Sequence, residues 1–195
     1  LAVSCGSSGR DLPAPLAGVA APTRSSEAGA AGASGASASA SAGGGLQLVA
    51  SAFAPGGPVP PEYGCDGPAP ELTWSGKLPD GTNELALVAR DPQTGSVHWF
   101  VAGISAGAHT SPKGGTPENV AQLVNSAGKN GYAGPCPPPG EVKRIEFSVV
   151  ALSGSAALPV TTAAADAWAR IQPKVLGRAV LEGAFTGVTP PAAPQ

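Results

Sequence analysis

Gly131-Tyr132-Ala133-Gly134-Pro135-Cys136-Pro137-Pro138-Pro139-Gly140 can be neither a helix nor a central strand. Its four prolines withhold backbone donors, and its three glycines admit turns that other residues resist. Strand-like runs stand on both sides of it. A stiff loop between strands, with N–H groups at Gly134 and Cys136, has the form of a binding loop on a β scaffold. A proline-rich surface turn has the same composition, so the surrounding chain has to decide.

Downstream, Arg144 to Leu152 alternates and then becomes wholly apolar, as a strand does. Thr161 to Ile171 is the one good helical pattern, with Thr161 or Thr162 as cap and Pro173 just past its end. Ala179 to Phe185 closes the domain as a strand, and 188–195 reads as a flexible tail. Upstream, Val97 to Ile104 and Glu84 to Asp91 are near-continuous apolar runs, the pattern of central strands buried on both faces. The second run stops at Asp91-Pro92. Residues 105–130 read mainly as loop, with Val120 to Val124 a helical turn or a short strand. Pro79-Asp80-Gly81-Thr82 is a turn, Glu71 to Ser75 a short strand and Leu46 to Phe53 the first strand. The expected fold is mainly β, an antiparallel β-sandwich with a small C-terminal helix.

Before Leu46 the composition changes. From Ser25 to Gly45 every residue except Glu27 is Ala, Gly or Ser, and no apolar face repays the entropy of ordering. Residues 1–45 therefore read as an N-terminus and flexible linker, 46–187 as the domain and 188–195 as the tail. Cys5 is the odd one of three cysteines. It follows Leu1-Ala2-Val3-Ser4 and precedes Gly6-Ser7-Ser8-Gly9, which resembles the end of a bacterial lipoprotein signal, although Ala2 stands where leucine is usual. With no Met even at position 1, the chain reads as starting after a processing point or other boundary. The expectation is an extracytoplasmic domain held at the cell membrane by lipid on Cys5.

Charged residues make up 12% of the 195, and the net charge is -2. That balance argues against a nucleic-acid binder. No apolar run is long enough for a transmembrane helix. Neither a Gly-x-Ser-x-Gly elbow nor a metal-ligand cluster is present, and the only histidines are His98 and His109. The residues left to carry chemistry are Asp91, His98 and the proline loop with the following Lys143-Arg144. Each has an ordinary reading too: a turn-forming Asp-Pro, a core histidine and a solvated basic pair. His109 sits in a loop and reads as solvated.

Taken together, several fragments resemble the phosphatidylethanolamine-binding protein family, which includes the raf kinase inhibitor proteins, over about 46–187. They are Tyr63-Gly64-Cys65-Asp66-Gly67, Leu72-Thr73-Trp74 and Pro79-Asp80-Gly81-Thr82, then Leu87-Val88-Ala89-Arg90-Asp91-Pro92, Val97-His98-Trp99-Phe100-Val101 and Gly131 to Pro138. The Cys-Asp-Gly and Gly-Pro-Cys-Pro-Pro forms are similar to the bacterial branch. The resemblance implies a β-sandwich with a small anion pocket at one end, built from Asp91, His98 and a rim of Gly134, Pro135 and Cys136. The family binds phosphate-like groups, lipid head groups included, and several members inhibit kinases or proteases.

This chain departs from the family pattern in three places. Gln93-Thr94-Gly95 lacks the usual second acid and proline, which implies a looser loop after Asp91. Ile145 stands where an aromatic residue is expected, and Lys143 stands where a second histidine is expected. Lysine keeps its charge where histidine titrates, so the expectation is a fixed positive charge and anion affinity that survives at about pH 8. Asp91 would hold His98 cationic, or accept a proton from an amine or a protonated phosphate oxygen. Cys65 and Cys136 form a disulfide or remain buried thiols; free, Cys136 could pair with His98 as a nucleophile. The function expected is non-catalytic binding of a small anionic ligand or phospholipid head group, with no cofactor and no metal. The alternative is an inhibitor of a kinase or protease acting through protein contact.

Overall fold

Glu84–Arg90 (β4) is buried along almost its whole length because both faces of its sheet are covered. Leu85, Leu87 and Ala89 pack into one core with Leu48, Leu72 and Trp74. Ala86 and Val88 face the opposite way, into a second core with Ala164, Ala167 and Ile171. The alternation is thus hidden in the sequence by apolar residues on both sides. The computed structural model describes residues 40–42, 45–117 and 120–188, all within the unit Ala36–Gln195. Cys5 and nearly all of the Ala/Gly/Ser segment lie outside the described residues.

The strands are Ala40–Ala42 (β1), Gln47–Ala50 (β2), Leu72–Ser75 (β3), β4, Val97–Ser105 (β5), Thr110–Ser111 (β6), Ala121–Gln122 (β7), Val142–Leu152 (β8) and Val175–Thr186 (β9). One sheet runs β1-β9-β8-β4-β5-β7 and the other β2-β3-β6, with every pairing antiparallel. Trp74 and Trp99 are the bulkiest residues of the core that includes both sheets. The single α-helix among the described residues, Ala164–Ile171 (α1), contributes to the second core, on the other face of the larger sheet. This is the antiparallel β-sandwich with a small C-terminal helix that the sequence implies.

Two details differ from the sequence reading. The domain reaches back into the presumed linker, because Ala40–Ala42 pair with Val180 to Arg178 on the β9 edge. An Ala-Ser-Ala stretch has no face to bury, but it can still satisfy an exposed strand edge through its backbone. The helix starts at Ala164 with no side-chain cap from Thr161 or Thr162. Instead the Ala164 N–H donates to the Val124 carbonyl at 2.7 Å, so a neighbouring segment satisfies the first helical donor. Of the two readings open for 120–124, the short strand is the one formed, at Ala121–Gln122.

Candidate functional site

Asp91 follows β4 immediately and continues the face of Leu85, Leu87 and Ala89, so it ends up buried, at 2% exposure. Its Oδ1 accepts the N–H groups of Gln93 at 2.8 Å and Thr94 at 3.1 Å. The Asp91 N–H donates to the Ser96 carbonyl, and Gly95, with φ +75°, donates back to the Asp91 carbonyl. The turn is closed by its own aspartate, so losing the family's second acid and proline does not leave it open. Burial raises the carboxyl pKa, but the two amides and the nearby Lys143 outweigh it, and Asp91 stays below its ordinary range.

Lys143 lies near the start of β8, on the face of Ile145 and Phe147, opposite Phe185 of β9. Its Nζ is 3.6 Å from Asp91 Oδ2, and its side chain is 38% exposed. It therefore turns toward the site rather than to solvent. Its charge is not free, however: Asp91 balances it. The fixed positive charge expected at this position is thus held against a buried carboxylate.

His98 is placed by a bulge. Ala89 pairs with Trp99 and Arg90 with Val97, so His98 is the extra residue on β5. The bulge explains why Val97 and Trp99, two apart in one strand, enter different cores. Ala133 of the proline loop grips His98 twice. Its N–H donates to the His98 carbonyl, and its carbonyl lies 2.9 Å from His98 Nδ1. A carbonyl only accepts, so Nδ1 carries the hydrogen. The other nitrogen, Nε2, is buried and has no hydrogen-bond partner in the protein.

Burial depresses the His98 pKa, and Lys143 pushes the same way, whereas the Ala133 hydrogen bond and Asp91 raise it. Burial wins, so Asp91 does not hold His98 cationic at neutral pH. The imidazole is neutral, with an unshared lone pair on Nε2.

Cys65 and Cys136 form a disulfide, with their Cα atoms 4.5 Å apart. A thiol for nucleophilic attack beside His98 is therefore missing from this state of the chain. The loop lies backbone on backbone over residues 63–65. The Cys65 N–H donates to the Pro135 carbonyl at 3.0 Å, and the Tyr132 hydroxyl donates to the Tyr63 carbonyl at 2.7 Å. A Cβ on Gly134 would run into the Tyr63 carbonyl and the Gly64 backbone. Gly134→Ala is expected to cost about 1–3 kcal/mol through this overlap. Differential scanning fluorimetry should show a midpoint several degrees lower; an unchanged midpoint would mean that the two backbones part freely.

The loop separates two cavities. One, of about 230 Å³, is lined by His98, Ala133 and Gly134 together with Ser96, Asn125 and Ser126. The other, of about 550 Å³, is lined by both cystine residues, Pro135 to Pro139 and Phe185. Gly134 thus stands on the His98 side, and Pro135 and Cys136 on the apolar side. Asp91 and Lys143 act on His98 through their charges but do not line the smaller cavity. Sequence reasoning missed its far wall, Asn125 to Ala127. There the Asn125 Oδ1 accepts the N–H groups of Ala127 and Lys129, while its Nδ2 donates to the Gly131 carbonyl. Asn125-Ser126-Ala127-Gly128 is a turn signal that could have been found; its position against His98 could not.

The profile of the family described as phosphatidylethanolamine-binding protein matches residues 49–186. A Mycobacterium tuberculosis protein named "Putative lipoprotein LppC" is 38% identical over 148 residues, covering 73% of each chain. A UPF0098 protein of Methanothermobacter thermautotrophicus is 34% identical, over 72% of this chain and 98% of its own. The crystal structure of Escherichia coli YbcL, described as a new member of the mammalian PEBP family, superposes with a TM-score of 0.66 at 26% identity. It covers 72% of this chain and 98% of YbcL. Family profile, relatives and fold thus agree, and this chain belongs to the bacterial branch of the phosphatidylethanolamine-binding protein family.

Proposed function

We propose that the domain binds a small phosphate-bearing anion or a phospholipid head group without transforming it, outside the cytoplasm and tethered by lipid on Cys5. The observation that carries this reading is the buried, unpartnered Nε2 of His98 in the charge field of Asp91 and Lys143. Native proteins rarely leave a buried polar atom unmatched, and a protonated ligand oxygen would complete it. Lys143 is long, flexible and partly exposed, and it can add its charge to a ligand that approaches Asp91. The name of the mycobacterial relative supports the lipid anchor.

Native mass spectrometry of the purified chain tests the reading through any retained small anion or lipid. Calorimetry with phosphoethanolamine makes it quantitative: His98→Ala and Lys143→Ala are each expected to weaken binding by tenfold or more, about 1.4 kcal/mol. Equal affinity of both variants and the wild type would exclude this site.

The apolar groove favours a second reading, inhibition of a kinase or protease through protein contact. A pull-down of envelope proteins with and without phosphate separates the two. Capture that phosphate does not disturb supports contact through the groove, and capture that phosphate abolishes returns the activity to the His98 site.

A further inference from the structure

We propose that binding at the His98 site takes up one proton, so that the ligand is held as an oxyanion sharing a proton with His98 Nε2. This rests on the reading above and adds the protonation form of the ligand. The Ala133 carbonyl commits Nδ1 as the donor, which leaves Nε2 as a bare acceptor in the neutral ring. No protein group donates to Nε2, and the atom is closed off from solvent.

The charged neighbours that act on His98 are Asp91, at the end of β4, and Lys143, on β8, and their charges cancel. The other elements against the ring contribute no further charge. Ala133 and Gly134 of the proline loop are neutral, and so are Asn125, Ser126 and Ala127 of the opposite wall. A fully deprotonated dianion would therefore set oxygen lone pairs against the Nε2 lone pair, close to a carboxylate, with no net positive charge to meet it.

One proton removes both conflicts. On a ligand oxygen it makes an O–H that donates to Nε2. On Nε2 it makes an imidazolium that donates to the ligand. Either way the balance is protein plus dianion plus one solvent proton giving the complex, and no bond other than to that proton is made or broken. Reaching Nε2 requires a neighbour to move, and among the charged neighbours Lys143 has the side chain free to do so. The class selected is an oxyanion that titrates near neutrality and has no O–H in its dianion, such as a phosphomonoester with a second pKa of about 6. A permanent dianion such as sulfate is disfavoured.

Isothermal titration calorimetry of the full chain with methyl phosphate, whose dianion has no O–H of its own, in two buffers of different ionisation enthalpy at about pH 8, counts the proton directly. The expected result is an uptake near one proton per methyl phosphate, with affinity falling about tenfold per pH unit. Sulfate is expected to bind at least tenfold more weakly than methyl phosphate at about pH 6.5. His98→Gln, whose amide N–H can meet the dianion directly, is expected to lose the uptake. Methyl phosphate bound without proton uptake overturns the proposal and leaves the binding reading standing, as does full uptake by H98Q. Failure to bind methyl phosphate at both pH values overturns the two together.

Discussion

Replacing Cys65 and Cys136 together by alanine is expected to lower the thermal midpoint of the oxidised chain by about 10 °C. The disulfide closes a loop across a sequence separation of 71 residues. The chain-entropy estimate for that length is about 4 kcal/mol, and each kcal/mol moves a domain of this size by about 2–4 °C. Little else would compensate. The proline loop meets residues 63–65 through backbone atoms and a few hydrogen bonds, each contributing about 1 kcal/mol. Both cysteines are exposed, so a mild reductant should produce the same shift in the wild type. Ligand affinity should fall with it, because Ala133, which orients His98, is three positions from Cys136. A midpoint that moves by less than about 2 °C would show that the loop holds its place without the cross-link.

Asp91→Ala is the second large effect. Asp91 is buried and accepts two backbone N–H groups while facing Lys143. Truncation would strand both donors and remove the counter-charge, at a cost of about 2–4 kcal/mol in urea unfolding at neutral pH. Asp91→Asn keeps an oxygen for the amides and loses only the charge, so about 1 kcal/mol is expected.

Asp91→Asn also separates the acid limbs of stability. Asp91 has a folded pKa below its ordinary 3.8, so its contribution is present above that value and is lost as pH falls through the folded one. His98 is depressed below 6.5, so its contribution is likewise present above 6.5 and fades as pH falls. Urea midpoints should therefore decline first below about pH 6.5 and again below about pH 3.8. Asp91→Asn should flatten only the lower decline. An unchanged lower decline in that variant would place the acid sensitivity elsewhere.

The sandwich was legible because its evidence is local. Apolar runs such as Glu84 to Arg90 mark strands, Asp91-Pro92 marks a strand end, and the prolines of 135–139 forbid regular structure. The site was legible only as a set of residues. Nothing in Val97-His98-Trp99 indicates that the histidine occupies a bulge, because a bulge depends on the register with β4. Nothing near Lys143 indicates that its charge ends on Asp91, since the pair is tertiary. Asn125 and Ser126 carry turn chemistry common to surface loops, and only the fold sets them against His98. The Ala-Ser-Ala strand at 40–42 was hidden for the opposite reason, because its backbone alone does the pairing.

The proposed function turns on His98 Nε2 as the point at which a small oxyanion is held. Long-range ¹H–¹⁵N correlation of the histidine ring reads that atom directly. In the free chain at pH 7.5 the ring is expected to be neutral, protonated at Nδ1, with Nε2 at the shift of an unprotonated acceptor. On saturation with phosphate or phosphoethanolamine, that Nε2 resonance should move toward the protonated range while His109 stays in place. A His98 Nε2 resonance that does not move when either ligand is saturating would contradict the account.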